Sequence, residues 1–267
     1  MSADGEGPDT SIGFSDDFAS LNTAVWTTSY LPAWSSRADA AASFDTGPGG
    51  LRLTIPVGHP LWCPDQHVTP LRVSGFQSAN RSGPVGSTDA PQPFRDGLLV
   101  REAQPTLLGF VPHHGRIGVT CSARLTPSSM FSAWMVGLED QPQRCGEICL
   151  MEIFGSSVEG GQAAVGQGIH PFRDPALYED FSAPLRQLDV TTPHTYEVDW
   201  RPGRVEFSID GVRTRVAEQA PDYPMLLFLA VFDFPEQSDG SAEIPQLTVT
   251  KVTGRGLGPG SVIAGQP

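Results

Sequence analysis

The ten residues GEICLMEIFG, Gly146 to Gly155, put two glutamates, Glu147 and Glu152, on one short apolar run with Cys149 between them. Side chains of a β-strand alternate between its faces, so Glu147 and Cys149 share a face while Glu152, five residues on, points the other way. One extra residue, a β-bulge at Leu150 or Met151, restores the phase and brings all three together. The glutamate Cα atoms then lie ~13 Å apart at a strand's rise. Side chains leaning toward each other close the carboxyl gap to ~5–6 Å, the separation used for double displacement at a glycosidic bond. Chance also spaces glutamates five apart, but Ile148 and Leu150 make this strand otherwise core-like. Carboxyls on such a strand need a cleft, because burying them unpaired is costly.

The rest of the chain must supply strands to hold that run. Among 267 residues there are 29 Gly and 25 Pro, which suits many turns between short elements rather than a helical bundle. Alternating apolar runs recur at LRLTIP, VSGFQSA, GLLVRE, TLLGFV, GRIGVTCSARL, MFSAWMVGLE and PMLLFLAVF. The clearest local signal is HTYEVDWRPGRVEFSIDGVRTRVAE, three runs joined by Pro202-Gly203 and Asp210-Gly211. Without a helical period or a repeat, the pattern predicts an all-β domain over residues 12–254, a sandwich of two antiparallel sheets. Residues 1–11 read as a flexible N-terminal segment and 255–267 as a flexible C-terminal tail. The irregular stretch from Val57 to about Arg72 is long enough to line a binding site.

The formal charge is −13 and no basic cluster occurs, which excludes nucleic acid and anionic membrane surfaces as partners. No apolar run is long enough to span a bilayer, and the start MSADGEGPDT lacks the pattern of a secretory signal. The four cysteines, Cys63, Cys121, Cys145 and Cys149, are too few for a disulfide framework and are expected to be reduced. His59, Cys63 and His67 have a spacing that would suit zinc on a helix, but Pro60 and Pro64 break that helix, and His113-His114 alone is a weak signal. No metal is expected at either place. Asn80-Arg81-Ser82 is a glycosylation sequon, meaningful only in a eukaryotic secretory path. Trp34 and Trp62 lie in irregular segments and are candidates for surface platforms under a sugar ring, while Trp200 reads as core.

From FSDDF and AVW through GRIGV, SAWMVG and GEICLMEIFG to HTYEVDWRPGRVEFSIDG and PMLLFLAV, the sequence resembles family 16 of the glycoside hydrolases, the laminarinase-like enzymes. The resemblance implies a concanavalin A-like jelly-roll sandwich and a retaining, endo-acting hydrolase of a β-linked polysaccharide, foremost a β-1,3-type glucan. A non-catalytic carbohydrate-binding sandwich and a transglycosylase are its alternatives. The family's bulged motif, E-x-D-x-x-E, reads E-I-C-L-M-E here, which would make Glu147 the nucleophile and Glu152 the acid/base. Cys149 replaces the middle Asp, a weaker hydrogen-bond donor set beside the pair. Trp134 resembles the family's strand tryptophan, Met130 stands where a cleft tryptophan often occurs, and His170 follows the strand as a cleft histidine does. Core packing accounts for Trp134 almost as well. The family's structural Ca²⁺ would need an acid on the last strand, where LTVTKVT offers Thr250, so no cofactor is expected. A monomer is expected, with a polysaccharide or oligosaccharide as its partner. The chain carries no export signal as written, whereas the resemblance suggests secretion.

Overall fold

The structure, a computed structural model, describes residues 13–240 and 242–265. The segment 1–11 therefore lies outside the described residues.

Two antiparallel sheets face each other. The larger runs in the order Val212–Ala217, Arg204–Ile209, His194–Arg201, Gly115–Arg124, Gln246–Arg255, Gly50–Thr54 and Ser43–Gly47, with Phe14–Asp16 added beside Gln246–Arg255. The smaller runs Asp180–Ser182, Gly166–His170, Glu147–Phe154, Ser129–Gly137, Met225–Asp233 and Arg72–Gln77. This is the all-β sandwich of two antiparallel sheets that the strand pattern predicts, with the jelly-roll fold that the resemblance implies. The hairpins form at the predicted dipeptides. Asp210 and Gly211 have φ of 51° and 76°, the two positive values that a two-residue hairpin turn needs.

The core between the sheets is built from alternate residues. Phe131, Ala133 and Met135 of one sheet meet Tyr196, Val198, Phe207, Val249 and Val252 of the other. The remaining residues of Ser129–Gly137 and Met225–Asp233 are buried as well, so both strands are covered on both faces. Their outer cover comes from the loops that carry Leu31, Trp34, Trp62, Ala90 and Leu98. That second layer gives the smaller sheet a walled face on which a cleft can sit.

Two expectations change, and the sequon is placed. GLLVRE forms no strand, because its Leu98 and Val100 pack into the loop layer instead. The stretch from 255 onward, expected to be flexible, docks as far as residue 265. Leu257 and Ile263 are buried, and Val262–Ile263 pairs with Phe110–Val111. Asn80 of the sequon is buried and hydrogen-bonds Gln104, so it is no surface acceptor. Among the described residues, no helix is long and apolar enough to cross a membrane.

Candidate active site

Along Glu147–Phe154, the side chains of Ile148, Leu150, Met151 and Ile153 all enter the core between the sheets, while Cys149 belongs to the opposite layer. Leu150 and Met151 are consecutive, so the alternation slips between them. The pairing shows how: Cys149 stands opposite Trp134 and Met151 opposite Ala133, which leaves Leu150 as the extra residue. The bulge thus falls at the first of the two positions the spacing allows. It disrupts the ladder, and side chains hold the carbonyls there. Gln167 Nε2 donates to the Leu150 carbonyl at 2.9 Å, and Ser132 Oγ donates to that of Met151 at 2.9 Å. Gln167 is itself 1% exposed, and its amide oxygen accepts from Thr214 Oγ1 at 2.6 Å.

With the phase restored, Glu147 and Glu152 line one cleft of about 350 Å³ with Tyr30, Gln92, Met130, Ser132, Trp134, His170, Phe172 and Phe232. Glu147 is partly reached by solvent at the cleft, while protein encloses its carboxyl. That enclosure, followed by the charge of Glu152, pushes its pKa up to about 8, and a 3.3 Å hydrogen bond from Gln92 Nε2 partly opposes them. Burial also raises Glu152, with His170 pulling the other way. The Cys149 thiol lies far above its ordinary range, through burial first and then the two carboxyls, so a neutral group sits between two acids. Its Sγ approaches the Gly166 carbonyl at 3.9 Å. Burial and the Glu147 charge likewise keep Tyr30 a neutral phenol.

His170 stands opposite Glu147 in register, its Nδ1 2.8 Å from Glu179 Oε1. Trp134 stacks on Phe228 with ring centroids 4.8 Å apart and also borders the cleft. Met130 is in the cleft wall, on the same strand as Trp134. Trp34 and Trp62 are not surface platforms. Trp34 is 0% exposed with its indole N–H on the Pro91 carbonyl, and Trp62 is 3% exposed with its N–H on that of Tyr30. Irregular backbone did not mean exposure, because these loops form the second buried layer. Trp62 nevertheless lines an adjoining apolar pocket with Phe94, sharing Tyr30, Gln92 and Phe172 with the cleft. The 57–72 stretch borders a pocket through Trp62, His67 and Leu71. His59, Cys63 and His67 do not converge: they hydrogen-bond the carbonyls of Val73, Trp34 and Thr69. Trp200 is core.

Gln92, Tyr30, Phe172 and Phe232 were not found by sequence reasoning. They come from four distant segments with no shared spacing, so no local signal marks them.

Residues 112–239 match the model of glycosyl hydrolases family 16. No curated protein matches the sequence. Among solved structures, the chain is similar to a GlcNAcα1-4Gal releasing endo-β-galactosidase from Clostridium perfringens, at 21% identity and a TM-score of 0.78. That match covers 90% of this chain and 61% of the galactosidase chain, so this chain spans about three-fifths of its length. It is also similar to a laminarinase from Flavobacterium sp., at 14% identity and a TM-score of 0.58, covering 91% of this chain and 98% of that one. A Crh5 transglycosylase in complex with NAG matches at 16% identity and 0.58, over 93% and 86% of the two chains. At these identities the likeness shows the shared sandwich. The match to the family model, residues 112–239, takes in the whole glutamate strand.

Proposed function

We propose that this protein is a retaining, endo-acting glycoside hydrolase of a β-linked glycan, with Glu147 as nucleophile and Glu152 as acid/base. The observation that carries this reading is the bulge at Leu150, which sets two carboxyls with raised pKa on one cleft wall. In the first step the Glu147 carboxylate attacks the anomeric carbon while Glu152 gives its proton to the departing glycosidic oxygen. In the second, Glu152 takes a proton from water, whose oxygen displaces Glu147 from the sugar. The reacting form carries one proton on the pair, held by Glu152. Burial raises both carboxyls, and the charge of Glu152 raises Glu147 further, which favours one proton shared by the pair. Gln92, donating to Glu147, favours the anion that attack requires. Cys149 in place of an acid spares the cleft a third negative charge.

Support for the sugar divides. The sequence resemblance favours a β-1,3-type glucan, while the fold likeness is greater to an endo-β-galactosidase than to the laminarinase. A transglycosylase with the same covalent intermediate is the second reading, favoured by the likeness to one. Incubation with laminarin, mixed-linkage glucan and β-galactosidic glycans, following new reducing ends and the first product anomer, tests all of these. The expected result is cleavage of one class with retained configuration, and a loss of at least 10³-fold in kcat for Glu147→Gln and Glu152→Gln. An inverted product, or full activity in either variant, overturns the assignment. Longer products without new reducing ends would identify the transglycosylase.

A further inference from the structure

Outside the cleft, the described residues bring His113, His114 and Asp222 together, with one ligand atom from each lying within 4.8 Å of the others. The histidines sit just ahead of the strand Gly115–Arg124, and Asp222 just ahead of Met225–Asp233. Neighbouring residues of extended backbone point in opposite directions, so adjacent histidines do not ordinarily face one target. Here His114 has φ of 61°, a left-handed conformation uncommon outside glycine, and the two rings stack with centroids 4.3 Å apart. Both rings therefore reach the same carboxylate oxygen. His113 Nε2 is 3.0 Å and His114 Nε2 3.4 Å from Asp222 Oδ1.

The hydrogen bonds around this cluster leave one nitrogen, His114 Nε2, without a partner. His113 Nδ1 lies 2.9 Å from the Pro259 carbonyl, which only accepts, so Nδ1 carries the hydrogen. His113 Nε2 lies within hydrogen-bond distance of Asp222 Oδ1. His114 Nε2 is buried and has no hydrogen-bond partner. Three possible ligand atoms thus converge, and one of them is buried without a hydrogen-bond partner. Bonds of ~2.0–2.1 Å at tetrahedral angles set ligand atoms ~3.3 Å apart, and the 3.0 and 3.4 Å separations bracket that value. The Pro259 carbonyl on the far nitrogen of His113 is the kind of outer partner that fixes the tautomer of a metal-bound histidine.

We propose that His113, His114 and Asp222 form a binding site for a divalent transition-metal ion of the zinc class. Two imidazoles and a carboxylate suit such an ion, and the exposed Asp222 leaves a way in and room for water as a further ligand. The site shares no residue with the cleft. Its ion would tie the approach to Gly115–Arg124 to the approach to Met225–Asp233, and through Pro259 to the C-terminal segment.

The untagged full chain, stripped with a chelator, is titrated with Zn²⁺ by calorimetry and thermal melting, and with Co²⁺ by visible absorption. One ion per chain is expected, with Tm raised by about 5 °C or more at a hundredfold excess over Kd. The cobalt complex should show the intense visible bands of a low-coordinate ion. Asp222→Asn and His114→Gln should each weaken binding at least tenfold while leaving the metal-free Tm within about 2 °C of the parent. If one replacement unsettles the fold, the other and the parent's cobalt spectrum decide. Absence of heat and of cobalt bands at millimolar metal, or equal affinity in the parent and a folded variant, overturns the site.

Discussion

Glu147 carries a charge that its surroundings resist: burial acts first and the neighbouring Glu152 second, while the hydrogen bond from Gln92 offsets them in part. Its folded pKa of about 8 stands above the ordinary 4.5 of the unfolded chain. A group shifted upward in this way adds its stability below the unfolded value, and loses it as pH rises through the folded one. The wild-type protein should therefore lose stability between pH 4.5 and 8, and Glu147→Gln, which never ionises, should not. Solvent in the cleft screens the effect, so the variant's gain at pH 8 is set at roughly 1–3 kcal/mol, with little gain at pH 5. Thermal melts of both proteins at the two pH values check this. A gain of equal size at both would show that the carboxylate is not penalised by its site. The glutamates were legible because strand spacing reports on itself. Gln92 was not, since a residue 55 positions away meets Glu147 only through the loop layer.

At the scale of the strand, the five-residue step from Glu147 to Glu152 demanded one extra residue, and Leu150 supplies it. The sequence could not say what secures the irregularity. Gln167 does so from the neighbouring strand Gly166–His170, itself steadied by Thr214. Gln167 reads in sequence as an ordinary polar residue on an alternating strand. Replacing it with alanine would leave the Leu150 carbonyl buried without that partner, a cost of about 1–3 kcal/mol. For a chain of this size the expected fall in Tm is ~3–10 °C. The bulge would also be less firmly held, so Gln167→Ala should lower kcat several-fold with KM nearly unchanged, since Gln167 itself lies outside the cleft. Steady-state kinetics below the melting range separate this from mere loss of fold. An unaltered kcat would mean that the bulge is held without the glutamine.

At the scale of the molecule, the two-sheet sandwich was legible from alternation and hairpin turns, and the second buried layer was not. Trp34, Trp62, Leu98 and Val100 lie in backbone without strand period, and only the folded arrangement shows that they roof the smaller sheet. The C-terminal segment was misread for the same reason, because GRGLGPGSVIAGQP has a loop's composition yet carries two anchors. Leu257 and Ile263 are buried, Gly258 N–H donates to the His113 carbonyl at 2.9 Å, and Ala264 N–H to that of Gly109 at 2.6 Å. Burying two such side chains contributes about 1.5–3 kcal/mol each, against which stands the entropy of ordering the segment. Ending the chain at Gly256 should therefore destabilise it by roughly 2–4 kcal/mol, a fall of about 5–15 °C in Tm. None of the described residues so lost lines the cleft, so kcat and KM at 25 °C should stay within about twofold of the parent. Melting and activity measured on the same truncated preparation decide the matter. An unchanged Tm would restore the flexible tail, while a collapse of activity in a folded protein would mean that the C-terminal anchors help to shape the glutamate cleft.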